Sequence, residues 1–177
     1  MDAIELLRTQ HREIENLLHE LVDRTPRDLR DRKRLFERVA DLLATHASIE
    51  ERIFYPSVNA DKTEELLLEA LEMHLAIKRV ITDLMHLDEG DTTYRAKTAV
   101  LRDLVLKHQH EEEKHIFSAV LATMDSDRLD EIGREMDGLL LDLETRSPRQ
   151  EVPLQTDRAA SLDAQDHFQG IIAEFRE

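Results

Sequence analysis

Apolar residues recur at alternating steps of three and four along most of the chain, the pattern of amphipathic helices. A first stripe runs through Ile4, Leu7, Ile14, Leu18 and Leu21, with Asp2 and Glu5 placed as a capping box and Thr25-Pro26 as its end. A second runs through Leu35, Val39, Leu42, Ile49 and Ile53 and is expected to stop at Pro56. A third starts after Thr63 and carries Leu67, Ala70, Ile77, Ile81 and Leu84. The stretch Leu87 to Asp91 reads as a turn, with Asp91 capping a fourth helix that carries Tyr94, Leu101, Leu104, Ile116 and Ala119. A shorter segment, Leu129 to Leu143, follows Ser126. Long amphipathic helices with short connections predict an all-α fold: an up-down-up-down antiparallel four-helix bundle over residues 1–145. Past Arg146 the texture changes. Ser147, Pro148 and Pro153 break the pattern, and 161–176 offers one more amphipathic helix with Phe168, Ile171, Ile172 and Phe175 on one side. Residues 146–177 are therefore expected to form an extension with a short C-terminal helix, docked on the bundle, on a second copy in a homodimer, or on another protein partner.

Histidines interrupt the first four stripes where a Leu or Ile is due. The sequences read Leu7, His11, Ile14; Leu42, His46, Ile49; Ala70, His74, Ile77; and Leu101, Leu104, His108. Side chains at this spacing point into the bundle. One core histidine is ordinarily a satisfied polar group, but four on successive helices call for a common cause. His46 and Glu50, and again His108 and Glu112, spell His-x-x-x-Glu, which puts each carboxylate one turn beyond its imidazole on the same face. His11 to His74 is 63 residues and His46 to His108 is 62, so the chain reads as a tandem repeat of a helical hairpin. At ~1.5 Å rise per residue, the four histidines of an antiparallel bundle fall within one turn of a common level.

Composition narrows the chemistry. With no cysteine, disulfide scaffolds, thiolate zinc sites, iron–sulfur clusters and cysteine nucleophiles are excluded. The net charge of −15 opposes nucleic acid and anionic membrane as partners and tolerates cations. No apolar run approaches the roughly 18 residues of a spanning helix, and the acidic N-terminus is unlike a signal peptide; a cytoplasmic location is expected. Imidazoles and ionised carboxylates buried in a Leu-rich core cost several kcal/mol each unless compensated. Four nitrogens and two carboxylates overfill a tetrahedral zinc site but suit two carboxylate-bridged metal ions. The donor set favours Fe or Mn over Mg or Ca, and offers no thiolate for Cu(I). Open positions on such a pair would take a small exogenous ligand: dioxygen, peroxide or nitric oxide.

In His11, His46/Glu50, His74 and His108/Glu112, and in the Glu-Glu-x-Ile-Phe-Tyr-Pro run ending at Pro56, the chain resembles the hemerythrin-like proteins, specifically the HHE cation-binding group. The resemblance covers roughly residues 1–145. It implies a four-helix bundle around two non-haem Fe ions, oxo- or hydroxo-bridged, with terminal histidines and Glu50 and Glu112 bridging; Mn or Zn are the alternatives. Two departures from the oxygen carriers stand out. Lys78 occupies the place of their fifth histidine, and Glu112, followed by Glu113, fits the HHE pattern rather than theirs. These turn the expected role from oxygen carriage toward oxygen or iron sensing, or toward peroxide- or nitric-oxide-consuming chemistry in oxidative and nitrosative stress. Iron handling, iron–sulfur repair and a metal-responsive regulatory module without catalysis are the competing readings. Repair proteins of this type carry a cysteine-bearing N-terminal region that is lacking here.

Other residues receive plainer readings. Glu51 and Glu113 are taken as surface acids, with an oxygen-ligand role as their alternative. Glu112 and His115 form Glu-x-x-His, but Ile53 holds the matching place in the second helix, so His115 is expected behind the ligands or at an interface. His110 is off the stripe, His19 and His86 sit at helix ends, and His167 is not counted as a ligand. Phe54 and Tyr55 are read as helix-end packing, with lining of the access to the site as their alternative.

Overall fold

A computed structural model of the chain describes residues 1–23, 28–88, 90–144 and 146–162. His167 and nearly all of the amphipathic segment expected at 161–176 therefore lie outside the described residues. Within the described residues every regular element is helical: α1 (Ala3–Asp23), α2 (Leu29–Ile49), α3 (Tyr55–Val58), α4 (Glu64–Met85), α5 (Tyr94–Glu111), α6 (Phe117–Thr123), α7 (Ser126–Glu144) and a 3-10 helical strap (Pro148–Gln155). No helix among them is long and apolar enough to cross a membrane.

Local chemistry sets the starts. The Asp2 carboxylate accepts the Glu5 N–H at 2.9 Å, and Asp28 accepts the Arg30 N–H at 2.7 Å. Asp91 does not cap α5 directly. Its Oδ1 accepts the backbone N–H of Thr93 at 2.7 Å and the Thr93 hydroxyl at 2.6 Å, a local turn that delivers the chain to Tyr94.

Two helices differ from the sequence expectation at one equivalent point. The chain does not leave the helix at Pro56 but passes through a π-helical turn, Glu50–Phe54, into α3. The Tyr55 N–H bonds back to the Glu50 carbonyl, five residues earlier. Pro56 then falls in the first turn of α3, where a missing N–H costs little. The expected fourth helix is likewise divided: Glu112–Ile116 form a second π turn between α5 and α6.

α1 packs against α2 and α5, α4 packs against α5, and a lighter α2–α4 contact completes the ring; α7 lies against α1 and α2. The apolar interior forms two clusters. One holds Leu7, Ile49, Phe54, Leu71, Ile116 and Phe117, the other Ile14, Phe36, Ala44, Ile77, Leu101 and Val105. Each buried histidine or glutamate of interest lies between a residue of the first cluster and one of the second on its own strand of helix, as His11 does between Leu7 and Ile14. The polar layer is thus sandwiched by two greasy ends, each large side chain of which contributes about 1.5–3 kcal/mol of burial.

The strap lies on α2 and α4. The Arg149 N–H donates to Asp41 at 3.1 Å, and its guanidinium pairs with Asp41 and, at 3.6 Å, with Glu37. Arg79 donates to the carbonyls of Thr156 at 2.9 Å and Asp157 at 3.2 Å. Between these anchors Val152, 1% exposed, enters the second apolar cluster.

Candidate metal centre

The six side chains singled out by spacing meet in one layer. α1 supplies His11, α2 supplies His46, the first π turn Glu50, α4 His74, α5 His108 and the second π turn Glu112; none is more than 5% exposed. They form two groups whose donor atoms lie within 4.8 Å of one another: His11, His46, Glu50 and Glu112, and Glu50, His74 and His108. Glu50 belongs to both. Its Oε1 stands 3.1 Å from His46 Nε2 and its Oε2 3.1 Å from His74 Nε2, so one carboxylate faces both ways. Glu112 belongs to the first group alone, with Oε2 3.2 Å from His11 Nε2. His74 Nε2 and His108 Nε2 are 2.9 Å apart.

The π turns explain why adjacent residues both reach the interior. Successive residues of an α-helix point about 100° apart, so Glu50 inward would place Glu51 toward solvent. The wider turn buries both, Glu50 at 0% and Glu51 at 6% exposure. Glu51 is therefore not a surface acid. Its Oε1 lies 2.9 Å from His74 Nδ1, and both of its oxygens accept from Lys78 Nζ, at 2.7 and 2.8 Å. Glu113, with a 40% exposed side chain, lies at the rim and holds His11 Nδ1 at 2.8 Å. Gln10 Oε1 does the same for His46 Nδ1 at 2.9 Å. Ionised carboxylates only accept, so in His11 and His74 the Nδ1 carries a proton, and it is the Nε2 that would release its proton and turn a lone pair toward the centre.

The electrostatics follow from this crowding. Burial alone would lower His11, but Glu112 and Glu50 beside it, with Glu113 behind, raise it to about 9. Burial is likewise outweighed at His74, where Glu50 and Glu51 raise it to about 9. At His46 burial wins, and its imidazole falls below the usual range. Glu50 goes the other way. Burial opposes its charge, yet His46, His108 and His74 hold its carboxyl well below the usual range.

Tyr55 belongs to this layer as well. Its ring is fully buried and stacks on His74 with centroids 5.6 Å apart, and its hydroxyl stands 3.5 Å from Glu50 Oε2. Burial, with Glu112 and Glu50 adding to it, pushes the phenol well above its usual range, so it remains a neutral donor. Its place just before a proline at an apparent helix end marks Tyr55 as near the site but not as a partner of Glu50. Lys78, already marked in place of a fifth histidine, is found holding Glu51, and Gln10 could have been found by adjacency to His11.

The donor set fits a metal. His11 Nε2, His46 Nε2, Glu50 Oε1 and both oxygens of Glu112 are buried without a hydrogen-bond partner, their close approaches lacking hydrogen-bond angles. Each orphaned polar atom costs on the order of 1–3 kcal/mol. Among the described residues, His110 is exposed, and His115, its side chain 42% exposed, pairs with Glu111 at 3.3 Å. A cavity of about 20 Å³ lies behind His46, His74 and His108. On the other side an open cleft of about 370 Å³ between α4 and α5, rimmed by Met73 and His115, reaches His108 and Glu112.

Residues 2–120 match the family of the hemerythrin HHE cation binding domain. A hemerythrin HHE cation binding domain-containing protein from Mycobacterium kansasii shares the fold, with a TM-score of 0.74 over 92% of this chain and 98% of that one at 21% identity. A DNA nickase of Nostoc sp. is 24% identical over 139 residues, 76% of this chain. The chain spans 38% of that relative's length.

Proposed function

The chain belongs to the hemerythrin HHE cation-binding domain family, and from that premise we propose that its buried layer holds two non-haem iron ions and binds a small oxidant: dioxygen, a peroxide or nitric oxide. His11, His46 and Glu112 would serve one ion, His74 and His108 the other, with Glu50 between them. The observation that carries this reading is the division of labour around the layer: Nδ1 of His11, His46 and His74 is tied to an oxygen behind it, while Nε2 of His11 and His46, Oε1 of Glu50 and both oxygens of Glu112 stay orphaned. Imidazole with carboxylate suits iron, with manganese or zinc as outcomes the test distinguishes.

Bound iron supplies electrons and coordination positions for the oxidant. The chain's own residues do the rest. Glu51, Glu113 and Gln10 fix the imidazole tautomers and orientations. Leu7, Ile14, Ile49 and Ile77 exclude bulk water from above and below. Tyr55 directs its O–H toward Glu50. Lys78 stands one turn after His74, and its ammonium is engaged by Glu51 rather than offered to the centre. The His74–His108 side is left with three donor residues against four on the other, and is the side with room for the oxidant. We place the protein in oxidative or nitrosative stress response, or in oxygen or iron sensing, in the cytoplasm. The nicking activity named for the Nostoc protein belongs to a much longer chain, and a net charge of −15 speaks against a nucleic-acid partner here.

The test is metal analysis joined to the optical spectrum of aerobically purified, iron-loaded protein. About two irons per chain with the near-ultraviolet charge-transfer bands of a bridged ferric pair support the proposal. Fewer than one metal per chain after loading overturns it.

A further inference from the structure

The cavity behind His74 and His108 has a wall that comes from outside the family-matched residues. Val152 of the strap closes it, facing Leu43, Ile77, Ile81 and Val105. At about 20 Å³ it exceeds the ~10–15 Å³ that one water-sized occupant requires, which is the scale of a molecule of one or two heavy atoms. Two polar groups line it besides the histidines. The Lys78 ammonium is engaged by both oxygens of Glu51. The other is Gln109, 6% exposed, whose Nε2 is buried without a hydrogen-bond partner.

Resting on the di-iron reading above, we propose that this cavity is the ligand's seat, that it selects a neutral diatomic over hydrogen peroxide, and that Gln109 and Val152 set the selection. Selection follows from matching donors to acceptors. Dioxygen and nitric oxide bring acceptors only, and the orphaned Gln109 N–H is a donor waiting for one. Hydrogen peroxide also brings two O–H donors; against Leu, Ile and Val, with the Glu51 oxygens taken by Lys78 and His74, the Gln109 amide oxygen can accept at most one of them. Each buried donor left unpaired weakens binding about fivefold to a hundredfold. Val152 contributes by size: it reaches the cavity because Arg149 and Arg79 pin the strap on either side of it. The strap is thereby a specificity element of the site rather than a trailing end.

Two arms test this, one of them independent of metal. In metal-free protein saturated with oxygen, which is paramagnetic, the methyl resonances of Val152, Val105, Ile77 and Ile81 should relax several-fold faster than those of the equally buried Leu67 and Val120 in the other cluster. Equal relaxation overturns the seat. In iron-loaded, reduced protein titrated with nitric oxide, Val152→Trp should weaken the adduct at least tenfold with iron content unchanged. Gln109→Leu should speed adduct dissociation about five- to tenfold. Val152→Thr, which exchanges a methyl for a hydroxyl acceptor with little change of size, should shift the ratio of nitric oxide to peroxide reactivity several-fold toward peroxide. Wild-type nitric oxide affinity in Val152→Trp, or an unchanged ratio in Val152→Thr, overturns the selection. Should Val152→Trp not fold, the oxygen arm and Val152→Thr decide. Failure of the wild-type protein to load iron strikes the di-iron reading alone, because the oxygen arm is read without metal.

Discussion

Glu50 and Glu51 are neighbours with nearly equal burial and opposite tasks, and substitution should separate them. Glu50 offers one oxygen to each donor group. Glu50→Ala should therefore abolish the two-metal spectrum and reduce iron to one ion or fewer per chain. Glu51 instead holds His74 Nδ1 and neutralises Lys78, which is 6% exposed. Glu51→Ala leaves a buried ammonium without its partner, so the metal-free protein should lose about 3–5 kcal/mol in urea unfolding. Metal affinity should fall about 10- to 100-fold through the freed His74 ring. A Glu51→Ala protein as stable as the parent refutes the assignment. The difference between these two residues is also where sequence reading stopped. Histidines in place of Leu or Ile, with Glu50 and Glu112 four residues after two of them, leave a periodic trace. Glu51 and Tyr55 are brought inward by a change of helical pitch, and a pattern read at 3.6 residues per turn assigns them to other faces.

Helices show the same division at a larger scale. The stripes, the Asp2 cap and the breaks near Ser126 and Pro148 were legible because burial and capping act on residues close in sequence. The π turns were not, since each is selected by what its side chains meet across the bundle, His11 for Glu113 and Lys78 for Glu51. The docking of α7 was equally silent in sequence, and one glycine governs it. A Cβ on Gly133 would stand 2.4 Å from the Met1 carbonyl oxygen and 3.0 Å from Ala3 N, whereas a Cβ on Gly138 would meet nothing within 4 Å. Alanine gains about 1 kcal/mol over glycine inside a helix. Gly138→Ala should therefore stabilise by up to about 1 kcal/mol, while Gly133→Ala should destabilise by about 1–3 kcal/mol as α7 and the start of α1 are forced apart. Paired thermal melts check both. A Gly133→Ala protein that gains stability would mean that α7 does not seat on α1 as closely as this.

For the molecule as a whole, the sandwiched polar layer makes stability, metal and pH a single linked quantity. In the metal-free protein His11 and His74 titrate at about 9 against an ordinary 6.5. Groups raised on folding contribute stability that is fully present below pH 6.5 and is lost as the pH rises through about 9. Glu50, held below its ordinary value, contributes in the opposite sense: its share is present above about 4.5 and is lost on acidification through its lowered value. Metal needs neutral imidazoles, so loading at pH 7 must expel the protons on His11 and His74 and gives up the contribution they made. The increment that metal adds to stability is thus smallest where the empty protein is helped by those protons and grows as they leave. The melting-temperature difference between iron-loaded and chelated protein should rise steadily from pH 6 to pH 9. Calorimetric titration at pH 7, in two buffers of different ionisation enthalpy, should report the release of about two protons per chain. A difference that stays flat across that range, with no proton release, would mean that the imidazoles are already neutral in the empty layer, and that the carboxylates around them do not hold charge as the geometry requires.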